Sequence, residues 1–330
     1  MAIIILFRTL LFTCITISYV GECGSLSDAQ SLYAYITGSV NKYLRPESNQ
    51  SEPTELVLSF HLKSISGLDE VHGVLYSALS INVAWIDDSI SWNPNSYGGI
   101  SEIKLHSSLI WVPDLILGNP ANRISRIGLA DVPVTIKSTG HVIHIIPDLL
   151  ESTCDVDVTY FPFDSQKCVI EIIVVGYMSD IKFKVGGKID TTHYSENNLW
   201  ILASAKSGIS DMGGLPFVRL SLSLKRRYSF FILNLFSPVL IMIMLNIMVF
   251  MLPPDSGERV GYAITCLLAL SVYMTFASEN LPVSSKPIPI VTYVLLVYNV
   301  KGFQLSTFLK KIPNQFTCTR HVFRILNSHQ

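Results

Sequence analysis

The sequence predicts two joined parts: an all-β extracellular sandwich, immunoglobulin-like and preceded by an N-terminal helix, and an α-helical transmembrane domain. Of the 330 residues, 49% are hydrophobic and only 15% are charged, whereas soluble domains average about a quarter charged. From about residue 54 to 225, short runs alternate apolar and polar residues between turn signals, the pattern of an antiparallel sandwich. Beyond residue 227 the texture changes to long runs without charge. The net charge of −1 gives no bulk attraction to nucleic acid.

The first 23 residues carry Arg8, an uncharged apolar run and then small residues. They read as a secretory signal peptide, with a short anchor helix as the alternative. Next, Leu26, Ala29, Leu32, Tyr33, Ile36, Val40 and Tyr43 fall on one helical face, capped by Ser25 or Ser27 and ended by Arg45 and Pro46. Asn49-Gln50-Ser51 is a glycosylation triplet that fits a lumenal fate, although such triplets also arise by chance. Alternating runs at 55–62, 142–146 and 217–224 mark strands within an extracellular domain over 24–226. Of the six cysteines, only Cys154 and Cys168 lie in the polar middle of the chain. In an oxidising compartment they are expected to pair.

Residues 228–252 are uncharged and about 20 apolar residues span a bilayer, so a first span is expected there. A second is expected at 259–279, and a third, weaker one at 287–309, interrupted by Lys301. The helical domain is thus expected over 227–309, with a short polar tail at 310–330 and no fourth apolar segment. On the second span Glu258, Gly261, Thr265, Leu268, Val272, Phe276 and Glu279 are spaced three or four apart and share one helix face. Repeated around an axis, that face makes two carboxylate rings and an apolar constriction, which concentrate cations and gate by dewetting. A plain packing helix with charged ends is the alternative.

Cys154 and Cys168 flank thirteen residues that include Phe161-Pro162-Phe163-Asp164. This loop resembles the signature loop of Cys-loop pentameric ligand-gated ion channels. Trp111-Val112-Pro113-Asp114, Trp85-Ile86-Asp87 and Trp92-Asn93-Pro94 look like the tryptophan-rich strands of that family, and Leu252 to Arg259 looks like its turn before the pore helix. The resemblance covers roughly 26–295 and is nicotinic acetylcholine receptor-like, with serotonin type-3 receptors also close. It implies homologous subunits in a homo- or heteropentamer, a small neurotransmitter-like extracellular ligand, permeant cations and contact with membrane lipid. The setting it implies is the plasma membrane, in multi-pass form with the N-terminal domain outside, and a postsynaptic site is one such setting. Glu258 would be the inner selectivity-ring acid, Leu268 the gate and Glu279 the outer ring.

By the same resemblance Arg226 pairs with Glu70 at the membrane entry, and Phe161, Pro162, Phe163 and Asp164 press on the turn around Pro282. Without the resemblance, Arg226 reads equally well as a solvated basic flank. The expected agonist-loop positions depart from the family's aromatic cage, holding Ser80, Gly118 and Val175, with Tyr177 nearby. The adjacent-cysteine pair of acetylcholine-binding subunits is absent from 203–217. The chain therefore reads as a divergent or accessory subunit truncated after its third span. The alternative is a non-conducting decoy or assembly modulator. No phosphate loop, metal-spaced cluster or nucleophile elbow is found, and His61, His72, His106, His141 and His144 are scattered. Neither an enzyme nor a cofactor is expected.

Overall fold

In a computed structural model, residues 24–129, 132–176, 180–248, 258–280 and 288–297 are described. The expected signal peptide and the tail at 310–330 lie outside them, as do Tyr177 and Pro282. The first helix, α1 (Leu26–Ser39), begins with a capping box in which Ser25 Oγ accepts the Asp28 amide at 3.2 Å and Asp28 accepts the Ser25 amide at 3.0 Å. The helix stops at Ser39, short of the expected extent to residue 44. Only Leu32 and Ile36 are buried, so two turns of apolar contact hold it and nothing anchors a longer helix.

Ten strands follow: β1 (Thr54–Asp69), β2 (Val74–Ile86), β3 (Glu102–His106), β4 (Leu115–Leu117), β5 (Pro133–Lys137), β6 (His141–Thr153), β7 (Ser165–Val174), β8 (Ile181–Val185), β9 (Trp200–Met212) and β10 (Leu215–Arg226). They form a six-stranded sheet ordered β3-β5-β6-β2-β1-β8 and a four-stranded sheet ordered β4-β7-β10-β9. Alternation sets the faces. On β1, Leu56, Leu58, Phe60 and Leu62 are buried, while on β10 Val218, Leu220, Leu222 and Leu224 are. These rows share one core with Trp85 and Trp111, whose rings meet edge-on at 5.7 Å.

One pairing departs from the expected antiparallel pattern: β8 runs parallel to β1, with Thr54 opposite Ile181. β8 is reached by a crossover from the other sheet rather than by a hairpin, and a crossover leaves strand direction free.

After β10 the chain enters a helical turn at Ser229–Phe231, a π turn at Ile232–Phe236 and helix α2 (Ser237–Met248). Helix α3 spans Glu258–Asn280. Residues 290–297, here α4, are also helical. The spans expected at 228–252, 259–279 and 287–309 overlap these stretches, and their residues 249–252, 287 and 298–309 lie outside the described residues. Among the described residues no helix is long and apolar enough to cross a membrane, and the π turn divides the first apolar run. A second apolar cluster joins Leu235 and Val239 to Tyr273 and Ala277 of α3, Val291 and Leu295 of α4, and Phe161 from the sandwich.

Candidate functional site

The sandwich meets the helices through a buried charge cluster built on the last residue of β10. Arg226 faces inward because it continues the buried row of alternate β10 residues. Its Nε and Nη2 donate to the two carboxylate oxygens of Asp164 at 2.7 and 2.9 Å, and its Nη1 lies 2.6 Å from Glu70 Oε1. The Arg226 and Asp164 side chains are each only 2% exposed. This two-pronged geometry suits a guanidinium and no other side chain. Aromatic rings surround the cation: Trp200 lies at 4.3 Å, Phe161 at 4.8 Å and Phe231 at 5.5 Å from the guanidinium carbon.

Two carboxylates face one cation, so the cluster carries a surplus negative charge. The Gln166 amide offsets it by donating to Asp164 Oδ2 at 2.6 Å. Burial pushes the Glu70 carboxyl above its ordinary range, and the hydrogen bond from Arg226 offsets only part of that. Burial also works against the Arg226 charge, yet its bonds to Asp164 and Glu70 outweigh this and hold its pKa above the usual arginine value.

Cys154 and Cys168 are bonded, closing the loop that carries Phe161 to Asp164. Phe161 and Pro162 are buried; Phe163 is exposed and stacks beside the Tyr228 ring at 5.3 Å. Phe161 packs edge-on against Phe231 at 4.9 Å. The backbone amide of Ile290 donates to Thr159 of the loop at 3.0 Å, tying the loop to α4. Asp164, inside the loop, is gripped by Arg226, because a buried carboxylate needs a cation; its expected contact with the turn around Pro282 lies outside the described residues. Toward the helices, the loop meets the entry to α2 and α4, and Phe161 joins the apolar cluster that also holds Tyr273 and Ala277 of α3.

On α3, Gly261, Thr265, Leu268, Val272 and Phe276 are all exposed, the last three at 64%, 65% and 49%. Cys266, Leu270, Tyr273 and Ala277, spaced four, three and four apart, are buried on the opposite side. Glu258 and Glu279 lie within the helix, and their side chains fall outside the described residues.

The expected agonist-loop positions are not gathered in one place. Ser80 is buried on β2 in the six-stranded sheet. Gly118 and Val175 lie in the other sheet, at opposite ends of the β4–β7 pairing. A side chain on Gly118 would begin 3.1 Å from Glu171 Cβ. Glu171 is itself held by Arg219 at 2.8 Å, so an ion pair stands beside the place where an aromatic was expected. Asn49 is exposed and donates to Glu52 at 3.0 Å.

A junction sealed by a bonded cysteine loop, between a two-sheet sandwich and a helical part, has matches among known proteins. The model of the neurotransmitter-gated ion-channel ligand binding domain matches residues 29–228, and that of the neurotransmitter-gated ion-channel transmembrane region matches residues 235–308. The chain belongs to the neurotransmitter-gated ion-channel family. Its Cys-loop is the one closed by Cys154 and Cys168, and among Cys-loop receptors it is nicotinic-like. It is 32% identical to the acetylcholine receptor subunit delta of Rattus norvegicus, over 83% of this chain and 58% of that one. It is 31% identical to the neuronal acetylcholine receptor subunit alpha-3 of Bos taurus, over 82% and 57%. It is 27% identical to the acetylcholine receptor subunit beta-type lev-1 of Caenorhabditis elegans, over 92% and 61%. The chain thus spans little more than half the length of these curated relatives. The family is one of receptor channels, not of enzymes.

Trp200 is the member of this Cys-loop junction that sequence reasoning missed. It stands directly opposite Arg226 in the β9–β10 register. A signal existed: it is the fourth tryptophan of the chain, and it opens a polar strand.

Proposed function

We propose that the chain acts as a subunit of a pentameric ligand-gated channel that passes cations across the plasma membrane. In this reading α2, α3 and α4 belong to membrane-spanning segments and the sandwich lies outside the cell. The observation that carries it is the split of α3 into two faces. The face chosen by spacing, from Gly261 to Phe276, is exposed, whereas Cys266, Leu270, Tyr273 and Ala277 are buried. Several copies around an axis would turn those side chains toward a common path, with Leu268 as its apolar constriction. Glu258 and Glu279 would ring its two ends and concentrate cations. Arg226, Glu70, Asp164 and the Cys-loop would transmit motion of the sandwich to α2 and α4, with the turn at Pro282 engaged from the same side.

The subunit would be accessory in ligand binding. Gly118, Val175 and Ser80 supply no aromatic cage for a cationic amine, and Tyr177 is the one aromatic at the expected loop positions. The agonist would be held by partner subunits. Whole-cell recording during co-expression with nicotinic receptor subunits tests the reading. The expected result is an agonist-evoked current whose reversal potential follows the sodium gradient, with Glu258→Gln shifting it away from the cation value. A reversal potential that follows chloride, or suppression of the partners' current with no new permeation, would contradict it.

A further inference from the structure

A large cavity among the described residues has no part in the channel reading. It is a cleft of about 1140 Å³ at the membrane-distal end of the sandwich, between the segment that follows α1 and the outer ends of β1 and β2. Its nearest lining residue on β2, Ala84, is four residues from Ser80, about 13 Å at strand spacing, and Ser80, Gly118 and Val175 do not line it.

Its chemistry is uneven. Trp85 and Trp111, both almost fully buried, form part of its wall. Asp87, only 4% exposed, lines it as well. Asp87 Oδ1 caps the short turn Asp88–Ile90, accepting the Ser89 amide at 3.0 Å and the Ser89 hydroxyl at 2.5 Å. Oδ2 has no hydrogen-bond or ion-pair partner among the described residues. It is open to the cleft rather than sealed in, where an ammonium could take it as an acceptor. Burial raises the pKa of Asp87, with only partial offset from Ser89.

The other charges around the cleft leave this acceptor free. Arg45 lines it, but its guanidinium is spent on the Glu52 carbonyl at 2.7 Å, the Thr54 hydroxyl at 3.2 Å, and the carbonyls of Asp180 and Gln50. Glu55 is paired with Lys184 at 2.5 Å. Glu47 and Asp88 add negative charge, and His141 lines the cleft from β6, opposite Ile86. One free carboxylate oxygen is too few for calcium or magnesium, which take six or more oxygen ligands. An aromatic wall beside a single buried carboxylate suits a small organic ammonium with an apolar body.

We propose that this cleft binds a small organic amine in its ammonium form, with Asp87 Oδ2 accepting the N–H and Trp85 and Trp111 walling its apolar part. The site is separate from the agonist positions and needs neither conduction nor partner subunits.

Equilibrium binding of radiolabelled phenethylamine to the purified full chain in detergent tests it, with unlabelled 2-phenylethanol as the neutral competitor of the same shape. Saturable binding is expected. Asp87→Asn, which keeps the Oδ1 acceptor for Ser89, should weaken it roughly 10- to 100-fold, the worth of a charge-assisted hydrogen bond. Ala84→Phe places bulk at the cleft from a half-buried position and should abolish binding; circular dichroism checks that both variants fold. The alcohol should compete poorly. The proposal is overturned by absence of saturable binding, by equal affinity in Asp87→Asn, or by an alcohol as effective as the amine. It is equally overturned if binding vanishes on assembly with other subunits, which would assign the cleft to a subunit interface.

Discussion

Arg226 occupies a position where the chemistry of a single side chain decides whether the junction holds. Its guanidinium satisfies two carboxylates in plane while its faces lie against Trp200, Phe161 and Phe231. Removing it leaves Glu70 and Asp164 buried together without a cation, and breaking a buried pair from one side costs about 3–5 kcal/mol. Arg226→Ala should therefore lower the stability of the purified chain by that order in thermal unfolding. Arg226→Lys keeps the charge but loses the fork and the stacking, and should fall between wild type and Arg226→Ala. A lysine variant as unstable as the alanine variant would show that charge has no role there. How legible this cluster was differs by residue. Glu70 and Arg226 came from family resemblance, because nothing in their spacing links residues so far apart. The position of Asp164 under the guanidinium, and of Trp200 over it, depends on strand register, which local periodicity does not encode.

At the scale of elements, the Cys154–Cys168 loop is the piece both parts share. It hydrogen-bonds to residue 290 through Thr159 and packs Phe161 among α2, α3 and α4. Closing a loop of sequence separation 14 restricts the unfolded chain by about 3 kcal/mol. The Cys154→Ser, Cys168→Ser double variant should lose about that much, read as a lower melting point of the β structure by far-UV circular dichroism. An unchanged melting point would contradict the assignment of the bond as a structural fastener. The long strands were readable because alternation survives over eight or more residues, as on β1 and β10. Their full lengths were not: register shifts between Leu62 and Ser64 and between Ile65 and Gly67 break the phase of β1. Strands β3, β4, β5 and β8 have five residues or fewer, too short for a period of two to stand out from a loop.

For the whole molecule, one arrangement joins these parts: a two-sheet domain, a buried ionic cluster, and a helix with one face buried against its own chain and one face exposed. Helical spacing alone marked the exposed face of α3. Which face packs inward depends on Leu235, Val239, Val291 and Leu295 meeting Tyr273 and Ala277, contacts that no single stretch of sequence reveals. The central claim is that the face from Gly261 to Phe276 lines water in the assembled receptor. The most direct measurement replaces Thr265, Leu268, Val272 and Phe276 with cysteine, one at a time, and applies a charged aqueous thiol reagent to assembled receptors during agonist exposure. The account predicts modification and altered current at these four positions, and none at the buried native Cys266. Resistance of all four, or reaction only at positions on the opposite face such as Leu270→Cys, would contradict it.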